Sequence, residues 1–243
     1  MKSVLLVICF LYSLSLVCNG FVYQNKFNDR RWKQDPDEFT NTTELIKSKG
    51  YPVEAHDVVT GDGYILTIQR ITGPRFSSGL ESNANKPVAL LQHGLLDASS
   101  SWVINFPEQS LGFVLADAGY DVWLGNMRGN SYGLRHQSLN PLQDQFWDFS
   151  WDEMSNYDLT AMVNYVTKTT SQPQIFYVGH SQGTLIQFAQ LSKNKDLASK
   201  IKLFVALGPV ATVKAIKSPI KLLGNESNFI FYLNLKNFYS CHF

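Results

Sequence analysis

Cysteine is scarce in this chain of 243 residues: there are three, and two of them, Cys9 and Cys18, fall within an apolar leader. With that leader set aside only Cys241 remains, and a lone thiol cannot close an internal disulfide. It is free, paired with another molecule, or evidence that its partner is missing. Clustered positive charge is also missing. Lys and Arg total 21 against 20 for Asp and Glu, with no basic block and no acidic tail, so the footprint of a nucleic-acid binder is absent. Beyond the leader no apolar run approaches the ~20 residues of a membrane span. Neither an internal repeat nor a low-complexity segment interrupts the chain. What remains is 44% apolar and 13% aromatic, enough to bury the core of one large domain.

The leader carries a compartment signal. Lys2 precedes the apolar run Val4 to Val17, which ends at Cys18-Asn19-Gly20, the layout of a secretory signal peptide cleaved near Gly20-Phe21. Residues 1–20 are therefore expected to leave, and the mature chain is expected to have no transmembrane segment. Two sequons fit the same compartment, Asn41-Thr42-Thr43 and Asn225-Glu226-Ser227, which makes Asn41 and Asn225 candidate glycosylation sites. The expected destination is the secretory pathway, ending outside the cell or in the lysosome.

From residue 53 onward strand and helix patterns alternate. Val53 to Val59 and Tyr64 to Ile71 flank the turn Gly61-Asp62-Gly63, a hairpin signature. Arg75 to Lys86 is polar and reads as a surface loop. Val88 to Leu91 and Ile175 to Val178 are short, continuously apolar runs, the pattern of strands buried on both faces. Tyr120 to Leu124 and Ile201 to Leu207 read as further strands. Leu111, Val114, Leu115 and Ala118 repeat at helical spacing, with Gly119 where a helix C-terminal glycine belongs. Ser150 and Glu153 form a capping box ahead of a helix whose apolar face is Leu159, Met162, Val163 and Val166. Leu185 to Gln190 continues as a helix. Such βαβα alternation predicts an α/β fold, a mostly parallel sheet with helices on both faces.

Gly179-His180-Ser181-Gln182-Gly183 matches the G-x-S-x-G pattern, with a strand running into it and a helix running out. In that context Ser181 occupies a tight, strained turn that projects its hydroxyl from the sheet edge, a candidate nucleophile. His93-Gly94-Leu95-Leu96 directly follows the strand Val88 to Leu91. The loop at that place presents a backbone N–H to a tetrahedral oxyanion, and the second N–H belongs to the residue after the nucleophile. Leu95 and Gln182 are thus the candidate oxyanion-hole residues. His93 precedes the serine and reads as a side chain that holds the loop. His180 is aimed away from Ser181 by the turn, His56 lies in the leading hairpin, and His136 in a later loop. In this architecture an Asp or Glu and then a His follow the serine. After Ser181 the chain has only Asp196, Glu226 and His242, and a single further strand. The sequence therefore predicts a sheet incomplete at its C-terminal end, without the acid and base of a triad.

With those motifs, the run Leu115-Ala116-Asp117-Ala118-Gly119-Tyr120-Asp121-Val122-Trp123-Leu124-Gly125-Asn126 resembles the acid lipase family that includes gastric and lysosomal acid lipases. So do Arg128-Gly129-Asn130, Trp151-Asp152-Glu153-Met154, Tyr157-Asp158-Leu159 and Gly208-Pro209-Val210-Ala211-Thr212-Val213. The resemblance runs from about Phe39 to Ser218. It implies an α/β-hydrolase core over 21–209 and the start of an inserted cap with a divergent tail over 210–243. It also implies hydrolysis of triglycerides or cholesteryl esters at a lipid–water interface, with no metal and no organic cofactor. Ser181 carries over as the nucleophile, with Leu95 and Gln182 as the oxyanion hole. The family's catalytic Asp and His have no counterpart, as expected of a splice form or an incomplete gene model. Two functions follow: a serine-dependent lipase whose present chain is inactive or weak, or a non-catalytic secreted lipid-binding or decoy form.

Overall fold

The computed structural model describes Asp37, residues 40–78 and residues 86–213. Residues 1–20, Asn225, Glu226, Cys241, His242 and nearly all of 210–243 lie outside the described residues. The chain divides into two units, Met1–Glu38 and Phe39–Phe243, and the fold below belongs to the second.

In chain order the elements are α1 (Thr42–Ser48), β1 (Val53–Val59), β2 (Tyr64–Ile71), β3 (Val88–Gln92), α2 (Leu111–Asp117), β4 (Asp121–Gly125) and β5 (Arg135–His136). There follow α3 (Trp151–Glu153), a π-helical turn (Met154–Leu159), α4 (Thr160–Thr170), β6 (Ile175–His180), α5 (Gln182–Lys193), α6 (Lys195–Ser199) and β7 (Ile201–Leu207). One sheet takes the strand order β1-β2-β4-β3-β6-β7, with the two-residue β5 beside β2. The β4, β3, β6 and β7 strands run parallel, while β1 and β2 form an antiparallel hairpin. The α/β-hydrolase architecture is thus a parallel sheet carrying an antiparallel edge.

The alternation of side chains along each central strand feeds two cores, one per face. Val88 and Leu90 of β3, Trp123 of β4 and Ile175 and Tyr177 of β6 pack under α4 and α5 against Leu159, Met162, Val163, Val166 and Ile186. Ala89 and Leu91, Val122 and Leu124, and Val178 face the other way, toward Leu45 and Ile46 of α1 and Phe113 and Ala116 of α2. This two-sided burial is why these strands read as unbroken apolar runs.

Local signals set the helix ends. The Ser150–Glu153 capping box forms, with Glu153 accepting from the Ser150 N–H at 2.7 Å. Gly119 takes φ of 89° and donates to the Ala116 carbonyl, while Tyr120 N–H reaches Leu115. Two features differ from the pattern read in the sequence. The helix that begins after Ser150 is not uniform, because the π-helical turn inserts one wide turn that brings Ser155 and Asp158 inward. Their polar partners lie on other segments, so no local pattern marks the interruption. Helix α1 also went unread, although Asn41 and Glu44 form a complete capping box at its start.

Candidate active site

β6 runs to His180 and α5 starts at Gln182, so the whole reversal rests on Ser181. Its φ of 51° and ψ of −112° lie in a region that non-glycine residues rarely occupy. The turn is over-determined by its surroundings. Ser181 N–H donates to the Leu207 carbonyl of β7 at 2.9 Å, and the Ser181 carbonyl accepts from Thr184 N–H at 2.9 Å and from its hydroxyl at 2.6 Å. Both flanking glycines are required by close approach. A Cβ on Gly183 would lie 2.6 Å from the Gln92 carbonyl oxygen, and one on Gly179 would lie 2.8 Å from the Gly183 backbone. Glycine here lets α5 cross directly over β3 and β6.

The loop after β3 lies against this turn. A Cβ on Gly94 would sit 3.2 Å from the Ser181 Cβ, so Leu95 is one residue away from the closest approach of loop and serine. His93 is buried and both its nitrogens are engaged. Nδ1 is 2.8 Å from the Gly94 carbonyl, which can only accept, so Nδ1 carries the proton. Nε2 then accepts from Met127 N–H at 3.3 Å and from the Asn130 amide at 3.1 Å. Burial holds its pKa below the usual histidine range, against the opposing pull of the Gly94 bond and Asp97. His93 is a neutral strut. Asn130 also reaches the Asp97 carbonyl, and the buried Asn126 ties Ser99, Gln69 and Thr67 into the same polar network behind the loop.

Gln182 heads α5, where the first N–H groups have no carbonyl of their own helix to meet. The Leu95 and Gln182 segments therefore flank Ser181 from two sides. The loop after β3 is apolar at its surface, with Leu95 and Leu96 both exposed.

Among the described residues no histidine hydrogen-bonds Ser181. His136 is held by the Asp62 carbonyl at one nitrogen and by Ser138 and Leu139 N–H groups at the other. His56 bridges Glu54 and Tyr165. His180 is exposed beside the elbow. Asp196 lies on α6 and pairs with Lys200 at 2.6 Å, so it is not an acid partner of the site. Glu226 and His242 fall outside the described residues.

A buried ion network below the site gave no sign of itself in the sequence. Arg128, 2% exposed, clasps Asp158 through Nε at 2.9 Å and Nη2 at 2.6 Å, and grips Asp62 at 2.6 and 2.8 Å. Its guanidinium lies 3.9 Å from the Tyr64 ring centroid. Burial raises the Asp158 pKa to about 6, outweighing the charge and hydrogen bonds of Arg128. Both residues stand in runs quoted for the family resemblance, but their 30-residue separation hides the pairing. Among the described residues no cluster of His, Cys, Asp or Glu could hold a metal ion, and no helix is long and apolar enough to cross a membrane.

Comparison with known proteins shows the family. Residues 42–106 match the partial α/β-hydrolase lipase region, and residues 87–231 match the α/β hydrolase fold. Lipase member M of Mus musculus is 51% identical over 185 residues, 76% of this chain and 43% of that protein. Lysosomal acid lipase/cholesteryl ester hydrolase of Homo sapiens is 50% identical over 190 residues, 78% of this chain and 47% of that protein. Gastric triacylglycerol lipase of Bos taurus is 43% identical over 227 residues, 93% of this chain and 55% of that protein. The chain spans about half the length of the curated relatives it matches.

Proposed function

The chain belongs to the acid lipase family of the α/β-hydrolases, and on that premise we propose that Ser181 is the nucleophile of a carboxylic ester hydrolase acting on neutral lipid esters. The substrate class follows the names of the relatives, one a triacylglycerol lipase and one a cholesteryl ester hydrolase. The observation that carries the reading is the strained backbone of Ser181, held between two glycines that nothing larger could replace. Fixed donors aimed at where charge develops supply much of an acyl-transfer enzyme's rate. The N–H groups of Leu95 and Gln182 fill that role, with His93 and Asn130 keeping the loop in register. No metal or organic cofactor enters the scheme.

Attack by Oγ also needs a base to take its proton. Among the described residues no histidine is bonded to Ser181, and a serine without such a base attacks esters slowly. That same observation supports a second reading, a non-catalytic lipid-binding or decoy form that uses the exposed Leu95 and Leu96. For both readings the domain plan is a signal peptide over 1–20, a core over 21–209 and the beginning of a cap over 210–243. The destination is the secretory pathway and then the cell exterior or the lysosome, with Asn41 and Asn225 glycosylated.

Fluorophosphonate labelling tests the assignment. Slow labelling at Ser181, abolished by Ser181→Ala, is the expected result. Labelling of a different residue would remove Ser181 from the chemistry, and complete inertness would favour the lipid-binding reading.

A further inference from the structure

A groove of about 410 Å³ lies between β1 and α4, separated from the elbow strand β6 by β2, β4 and β3. One wall is a single helical stripe, Asn156, Thr160, Asn164 and Lys168, each four residues from the last. The facing wall is apolar, formed by Val58 and Val59 of β1, and Tyr157 and Ala161 lie on the helical side beside the stripe. Val59 and Tyr157 leave 49% and 41% of their surface open, apolar area available to an aliphatic chain.

The polar wall presents donors. The Asn156 carbonyl oxygen accepts from the Gln190 amide at 3.1 Å, and the Asn164 carbonyl oxygen accepts from the Lys200 ammonium at 2.9 Å. Each amide oxygen is engaged by the protein, and neither NH2 has a partner among the described residues. Lys168 closes the stripe with no acidic partner among the described residues. The acids on the elements packed against α4 are already paired: Glu54 with Arg70 and His56, Asp57 with Arg135, and Asp196 with Lys200.

A donor-rich, cationic wall opposite an apolar one fits an amphiphilic anion. We propose that this groove binds a monocarboxylate on a medium-length apolar chain, its head at Asn164 and Lys168 and its chain over Val59 and Tyr157. The assignment does not depend on chemistry at Ser181. Hydrolysis of a neutral lipid ester would nonetheless release this class of molecule, and the groove would hold it away from the elbow.

Decanoate below its micellar concentration is the probe, titrated calorimetrically into the full chain near neutral pH. Saturable binding is expected, weaker by about tenfold or more for decanol and for acetate, each of which lacks one half of the recognition. Lys168→Glu should weaken decanoate by about tenfold. Leu96→Asp, which alters the rim of the elbow instead, should leave the affinity unchanged. Lys168 is exposed, so its variant should fold, and thermal unfolding confirms that. Equal affinity in Lys168→Glu and the parent chain, or no saturable binding at all, would overturn the proposal. Loss of binding in Leu96→Asp alone would move the carboxylate to the Ser181 site and overturn it equally. Neither result bears on fluorophosphonate labelling, so the two readings fail separately.

Discussion

Single residues carry strain and charge that their neighbours must hold. Ser181 keeps its positive φ because Thr184, Leu207 and the two glycines leave no alternative. Asp158 keeps a carboxyl in a fully buried position because Arg128 surrounds it with donors. Its pKa is about 6 in the fold against 3.8 for the free group, so between these values the native state holds a proton that the unfolded chain has released. Its contribution to stability therefore falls as pH rises from about 4 to about 6, and is constant above that. Asp158→Asn mimics the protonated form. Across that window the variant should gain on the parent chain as pH rises, by up to about 3 kcal/mol for a shift of this size. Denaturant titrations at several pH values read the difference directly. A variant that instead loses ground with rising pH would show that the ion pair favours the fold. The parent's total curve also contains Asp62, Glu54, Asp57 and Glu153, whose lowered pKa values make them lose stability as pH falls. For that reason the difference between the two chains is the quantity to follow.

Elements begin where side chains replace missing backbone partners. At α1 the Asn41 carbonyl oxygen accepts from Glu44 N–H at 3.0 Å, and Glu44 returns a bond to the Asn41 N–H at 3.0 Å. The cap uses the oxygen of Asn41, whereas glycosylation of the sequon would use its nitrogen, so the two roles are compatible on one exposed residue. Asn41→Asp should remove one glycan and keep the cap. Asn41→Ala should remove both, costing about 1 kcal/mol. Mobility before and after enzymatic deglycosylation counts the glycans, and thermal melts of the deglycosylated proteins compare the caps. Equal stability of all three would mean that α1 does not depend on its cap. The π-helical turn is another junction of this kind. Its Ser155 hydroxyl donates to the Ile186 carbonyl at 2.9 Å, fastening the turn to α5 behind the nucleophile.

At the scale of the molecule, and among the described residues, the sheet is well covered at its centre and open at β7. Among the described residues β7 pairs only with β6, and Leu203, Val205 and Leu207 on one of its faces are 53%, 38% and 39% exposed. A parallel edge with an apolar face is a template for association with another chain. The purified chain should self-associate with rising concentration, and Leu203→Lys combined with Val205→Lys should return it toward monomer. Light scattering across a dilution series measures both. A parent chain that stays monomeric at high concentration, with one sharp thermal transition, would show that the edge is protected.

The sequence by itself determined the fold class, the two-faced burial of β3 and β6, and the helix ends at Ser150 and Gly119. Each of these depends on residues close together in the chain, where periodicity and capping chemistry act. It also placed Ser181 in a glycine-flanked turn between strand and helix. The tertiary structure decided how that turn is held: by Leu207 on β7, by the Gln92 carbonyl against Gly183, and by Gly94 against the serine. It decided that His93 is a doubly bonded strut, a role that depends on Met127 and Asn130 more than 30 residues away. The Arg128, Asp158 and Asp62 network and the groove beside α4 were invisible in the sequence for the same reason. Buried polar groups must find partners, and where segments distant in the chain supply them, only the folded arrangement brings the two together.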